Sequence, residues 1–147
     1  MTEKELTTNP KAYLSRVSQA EREIRTIKAR IRHYQEMGIA SPGNMTNTPV
    51  SHSMGSSAVE TAAVGIIDAL GALNANLGAY EKIVGDAEKR IEKIPQENYR
   101  RILTLRYLCG MSFRSISDEM RYTDRKSVYR AHGWALLEMG KVLRSER

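Results

Sequence analysis

Cysteine occurs once in the 147 residues, at Cys109, so the chain has no internal disulfide framework. That residue reads as a small, partly buried thiol at the end of a helix rather than as a nucleophile. His33, His52 and His132 are scattered, with no second cysteine and no histidine pair at ligand spacing, which argues against a zinc site. Phenylalanine and tryptophan occur once each, and aromatics make up only 6% of the chain, too little for a large globular core. No paired-carboxylate, Ser/His/Asp, Cys/His or phosphate-loop constellation is present. The chain is therefore not expected to be an enzyme, and no metal or cofactor is implied. The opening MTEKELTTNP is charged and polar, unlike a signal peptide. No apolar run approaches the roughly 20 residues of a membrane span. The expectation is a soluble cytoplasmic protein with no membrane partner.

What the sequence does hold is Ala, Ile, Leu, Val and Met in helical patterns, and an uneven charge. The net charge is +6, but residues 1–95 carry only +1 of it and residues 96–147 carry +5. An excess gathered in the last third is the placement expected of a phosphate-binding part.

Residues 1–9 read as a polar tail. Asn9-Pro10 then signals a helix start, since Asn caps and Pro is tolerated at the first helical position. Tyr13, Val17, Ala20, Ile24, Ile27, Ile31 and Tyr34 follow at alternating spacings of 4 and 3, a heptad seam. Gly38 supplies a stop, giving a coiled-coil helix over 10–37. Residues 38–56, rich in Gly, Pro, Ser, Thr and Asn, read as a flexible linker. Ser57 and Glu60 fit a capping box. A second seam runs Val59, Ala63, Ile66, Leu70, Leu73, Leu77, Tyr80, Val84, Ala87, Ile91 and Ile94, a long coiled-coil helix over 57–94 that Pro95 ends. Ile24, Ile27 and Ile31 against Leu70, Leu73 and Leu77 are the expected centre of an antiparallel helical hairpin. Such a hairpin buries little alone, so a homodimer or higher homo-oligomer is expected. Gly71, Gly78 and Gly85 recur every seven residues on this helix. Each costs about 1 kcal/mol against Ala, and close helix–helix contact on that face would offset it.

Residues 96–144 read as a three-helix domain containing a helix–turn–helix. Ile102, Leu103, Leu105 and Leu108 face inward on a first helix that Gly110 ends. Ser112 caps a bracing helix with Phe113, Ile116 and Met120 inward. A polar break at 121–123 precedes a last helix whose cap is either Thr123 or Asp124. Val128, Ala131, Ala135, Leu136 and Met139 point to the core, and Trp134 is expected to pack inside. Arg125, Lys126, Ser127, Tyr129 and Arg130 then lie outward, with Arg114 on the bracing helix, as the candidate contacts to double-stranded DNA. Arg and Lys take guanine edges or phosphates, and Ser takes either. The fold class expected is all-α: a long coiled-coil hairpin followed by this reader.

At these residues the chain resembles a known pattern. NYRRILTLRYLCGMSFRSISDEM followed by VYRAHGWALLEM is similar to the region-4 domain of bacterial sigma factors, and within that group to small phage regulators of the ArpU/RinA kind. Leu105-Arg106-Tyr107-Leu108, Gly110, Ser112, Ile116, Met120, Tyr122 and Val128 through Gly133 carry the resemblance, which covers about residues 97–140. Arg121 departs from it, standing where many such turns have Gly. The stretch 123–127 also seems one residue longer than the usual run. The resemblance implies a phage or prophage transcriptional regulator acting on promoter DNA, with host RNA polymerase as a further partner. Two other readings stand beside it: a virion-assembly protein of the small-terminase kind, and an interaction module that binds RNA polymerase alone.

Overall fold

The computed structural model describes residues 2–46 and 52–146, and no strand occurs among them. The elements are α1 (Glu3–Thr8), α2 (Pro10–Thr46), α3 (His52–Glu92), α4 (Glu97–Leu103) with a π-helical turn (Thr104–Leu108), α5 (Phe113–Glu119) and α6 (Arg125–Ser145). The chain divides into two compact units, Met1–Arg22 with Glu81–Arg147, and Glu23–Tyr80.

Three boundaries differ from the sequence expectation. The polar tail contains α1, opened by a reciprocal capping box. The Thr2 Oγ1 accepts from the Glu5 N–H at 3.3 Å and the Glu5 carboxylate accepts from the Thr2 N–H at 2.8 Å. The Thr-x-x-Glu spacing was legible. The helix expected to stop at Gly38 runs on to Thr46, and the helix expected from Ser57 begins at His52. Most of the expected 38–56 linker is therefore helical, and its residues 47–51 lie outside the described residues. Gly and Pro are local penalties, whereas a helix already formed adds residues without repeating the cost of its nucleus. Asn9 caps α2 through Oδ1, which accepts from the Ala12 N–H at 3.2 Å, ahead of Pro10. The C-terminus of α3 tightens into shorter hydrogen bonds, from Lys93 to Arg90 and from Ile94 to Ile91, just before Pro95.

The first unit holds the main core. Leu14, Val17, Ala87, Ile94, Ile102, Leu103, Ile116, Val128, Ala135 and Met139 are fully enclosed. Residues from the start of α2 and the end of α3 thus share a core-bearing unit with α4 to α6. The domain boundary expected at Pro95 does not separate them. Leu14 is not on the heptad seam, and its burial reflects a wider apolar face at the start of α2. Several contacts tie the unit together. Pro10 Cγ lies 3.6 Å from where a Cβ on Gly140 would stand, so a larger residue there is in ordinary contact. Arg90 and Lys93 bond the Glu146 carboxylate at 2.7 and 2.9 Å. Arg90 also donates to the Tyr13 hydroxyl at 2.7 Å. α1 packs on α6.

In the second unit the seam is only partly covered. Ile24, Ile27 and Leu73 are buried; Ile31, Tyr34, Ile66, Leu70, Leu77 and Tyr80 are half-buried. Val64 and Ile67 are 57% and 65% exposed. Gly71 and Gly78 have open space where a Cβ would stand, as does Gly85 in the first unit. The close contact expected on that face is therefore absent within the described chain. Ala58–Glu92 is, by length and composition alone, apolar enough to cross a membrane, contrary to the sequence expectation. The charge-poor stretch between Glu60 and Glu81 accounts for the difference.

Candidate nucleic-acid interface

α5 ends in a Schellman motif. The Tyr122 N–H bonds the Ser117 carbonyl at 2.9 Å and the Arg121 N–H bonds the Asp118 carbonyl at 3.3 Å. Between them Arg121 takes φ 58°, the left-handed region that favours glycine. Tyr122 follows and packs on the cluster of Ile102, Ile116 and Val128, supplying the apolar contact that accompanies this motif. The absence of Gly at this position thus did not remove the turn; Arg121 accepts the strained backbone instead.

The start of α6 is settled in favour of Asp124. Its backbone is extended, and its Oδ1 accepts from the Ser127 N–H at 2.7 Å and from the Ser127 hydroxyl at 2.8 Å. These bonds hold the Asp124 carboxyl below its usual range, the Ser127 amide first, with a smaller contribution from Arg130. Arg125 is the first helical residue.

From that cap the side chains follow. Arg125, Lys126, Tyr129 and Arg130 are exposed on α6, and Arg114 is exposed on α5. None of the four cations makes an ion pair among the described residues. Ser127 differs from expectation, since it is half-buried and its hydroxyl is spent on the Asp124 cap. Tyr129 rests its ring 4.8 Å from that of Phe113. Trp134 also differs: it is 54% exposed, and Leu137 one turn on is 57% exposed. At 100° per residue both fall on the side that carries Lys126 and Arg130, so the outward face of α6 is cationic at its start and apolar further along. Gly133 lies on the same face, with nothing within 4 Å of where its Cβ would stand.

Behind this face sits a small polar network. The π-helical turn widens the chain before Gly110, whose φ is 69°; the Cys109 N–H reaches the Thr104 carbonyl and the Met111 N–H the Leu105 carbonyl, both at 3.0 Å. Cys109 is exposed, not partly buried as its sequence position implied. Tyr107 turns inward and its hydroxyl meets His132 Nε2 at 2.8 Å. Phe113 packs edge-on to the His132 ring at 4.8 Å. Arg106 lies 4.2 Å from the Phe113 centroid and donates to the Met111 carbonyl at 3.0 Å. Burial pushes the His132 pKa down to about 4, aided by Arg106 and Lys11. His132 is thus neutral near pH 7, and one hydrogen bond joins its Nε2 to the Tyr107 hydroxyl. The sequence showed Tyr107 and His132 only as parts of a motif. Nothing in their spacing of 25 residues announced a bonded pair.

Searches of protein-family models, curated proteins and solved structures returned no match to this chain.

Proposed function

We propose that this chain is a sequence-specific DNA-binding transcriptional regulator of phage or prophage origin. In this reading α5, the Arg121 turn and α6 form the helix–turn–helix, with α6 entering the major groove from Arg125 onward. The observation that carries the reading is the set of exposed cations at the start of α6. Among the described residues Arg125, Lys126 and Arg130 make no carboxylate ion pair, and they are held on a helix whose first turn is fixed by Asp124. Both the sequence resemblance and the charge asymmetry point the same way.

The long helices serve in this reading as an antiparallel hairpin that associates with a second copy. The Arg90–Tyr13 hydrogen bond joins the end of α3 to the start of α2, as that pairing requires. Val64 and Ile67 stand exposed on a stretch whose only charge between residues 61 and 80 is Asp68. Asn74, Asn76 and the glycine row suit a helix–helix surface better than a lipid one. A second reading, docking on RNA polymerase, is favoured by exposed Trp134 and Leu137, because large apolar side chains on an outward face commonly mark protein contacts.

Selection of bound fragments from a phage genome, followed by binding to the selected duplex at several salt concentrations, tests the proposal. Arg125→Ala and Arg130→Ala should each weaken specific binding by about 1–3 kcal/mol where they meet bases, or lower the salt slope by about one unit where they meet phosphate. Unchanged binding in both variants would remove α6 as the reading helix. Retention of RNA polymerase with no DNA binding at low salt would favour the second reading.

A further inference from the structure

The end of α3 and the start of α4 border an open groove of about 490 Å³ in the first unit. Ile91 of α3 and Leu105 and Leu108 of the π-helical turn give it apolar walls. Glu88, Glu92 and Glu97 stand exposed along it and make no ion pair among the described residues. Two guanidinium groups also line it, and both are engaged within the chain. Arg100 donates to the Ile94 and Pro95 carbonyls at 2.6 and 2.9 Å, and Arg101 bonds the Glu119 carboxylate at 3.4 Å. Glu88 and Glu92 lie four residues apart on one helix, where like charges repel. Glu92 also ends α3, where the helix dipole disfavours a carboxylate. The groove is thus an apolar cleft with carboxylates in excess at its edge.

The outward face of α6 has the opposite character. Lys126, Arg130, Trp134, Leu137, Lys141 and Arg144 fall within about 80° of one another at 100° per residue. Trp134 and Leu137 stand one turn apart, 54% and 57% exposed, with cations before and after them. Lys141 bonds Glu138 at 2.9 Å, and the other three cations make no ion pair among the described residues. No residue of α6 lines the groove, so neither surface covers the other within one copy.

We propose that the groove takes the Trp134–Leu137 face of α6 from a second copy of this chain. Apolar groups then meet at the centre and cations meet carboxylates at the rim, the arrangement of interfaces anchored by Trp and Arg. The groove falls in the range of roughly 300–1,000 Å³ that receives groups of drug size, room for an indole ring and a leucyl chain. The contact joins two different surfaces, so it is separate from pairing through the second unit. One consequence rests on the proposed function: Lys126 and Arg130 lie on the docked face, so self-docking and DNA reading by α6 exclude each other.

The chain has one tryptophan, so its emission reports the α6 face directly. Emission of the full chain is followed from nanomolar to high micromolar concentration. A saturable shift to shorter wavelength is expected, weakened by salt. Glu88→Lys with Glu92→Lys should move it at least about tenfold higher in concentration. Trp134→Ala with Leu137→Ser removes the docking face and leaves the groove. Adding that tryptophan-free copy to the Glu88→Lys, Glu92→Lys copy should restore the shift, because one supplies the groove and the other supplies Trp134. All four changes are at exposed positions, and unchanged circular dichroism and melting temperature check that the variants fold. An emission maximum that stays constant with concentration overturns the contact. So does a shift that survives the groove variant, or one that the mixture fails to restore. A shift that appears only with added RNA polymerase also overturns it, in favour of the second reading above. In a further arm, random-sequence duplex DNA is added at low salt to the docked protein. Reversal of the shift supports both the docking and the reader. A shift that persists, with or without bound DNA, supports the docking and counts against α6 as the reading helix.

Discussion

At the residue scale, Arg121, Asp124 and His132 each hold an arrangement that an ordinary measurement can test. Arg121 spends energy on a left-handed backbone that Gly adopts freely. Arg121→Gly should therefore stabilise the protein by about 1 kcal/mol, read as a higher urea midpoint with an unchanged m-value; a loss of stability would mean that the Arg side chain itself holds the turn. Asp124→Ala should lower the melting temperature, because it removes the acceptor for the Ser127 amide. His132 gives a pH dependence whose sign is fixed. Its folded pKa of about 4 lies below the 6.5 of the unfolded chain, so the unfolded state binds the extra proton. Stability is full above about pH 6.5 and falls as the pH drops toward 4. The loss at pH 5 should be about 1–2 kcal/mol, after allowing for water that reaches part of the ring. His132→Gln should flatten this part of the stability profile; the same slope in the variant would place its origin elsewhere.

At the scale of elements, periodicity was the most readable signal. The heptad positions from Tyr13 to Ile27 and from Val84 to Ile94 are buried, because a stripe of that period must find an apolar neighbour. The caps at Asn9 and Ser112 were equally visible, since each depends on residues within four positions. Helix ends at Gly38 and Ser57 were misread, because stop signals state a local preference that a long helix can override. Trp134 was misplaced for a different reason. Its residue type favours burial, whereas its angle on α6 sets it outward. The Tyr107–His132 bond was beyond reach, since it joins elements distant in sequence. The glycine row remains a test at this scale. With open space around each, Gly71→Ala and Gly78→Ala should each add about 1 kcal/mol of helix stability in a monomer. If the row lies between copies, the same changes should weaken self-association measured by sedimentation. A more stable helix with unchanged association would remove the row from any interface.

At the scale of the whole molecule, the contacts that matter most join the two ends of the sequence. α1 and the start of α2 pack in the same unit as α6, and Arg90 and Lys93 bond Glu146. A fragment of residues 96–147 would lose Leu14, Val17, Ala87 and Ile91, which are buried within that unit. It should show collapsed amide dispersion by NMR and no cooperative thermal transition; a sharp, well-dispersed spectrum would show that the last helices fold alone. If copies pair through the second unit as proposed, association should be lost more selectively. Ile27→Asp or Leu77→Asp should disrupt pairing of the second unit, and a variant still associated at unchanged mass would count against the seam.

The joining of the chain ends also governs how such a gene can be recombined. A crossover at Pro95 would unite a C-terminal half from one parent with the α1 and Pro10 surfaces of another, and the two would have to fit side chain by side chain. A double crossover exchanging residues 23–80 would leave that fit untouched. Shuffling should therefore pass on this protein as a frame built from both ends of the sequence with an exchangeable insert, rather than as a C-terminal domain fused to an interchangeable arm.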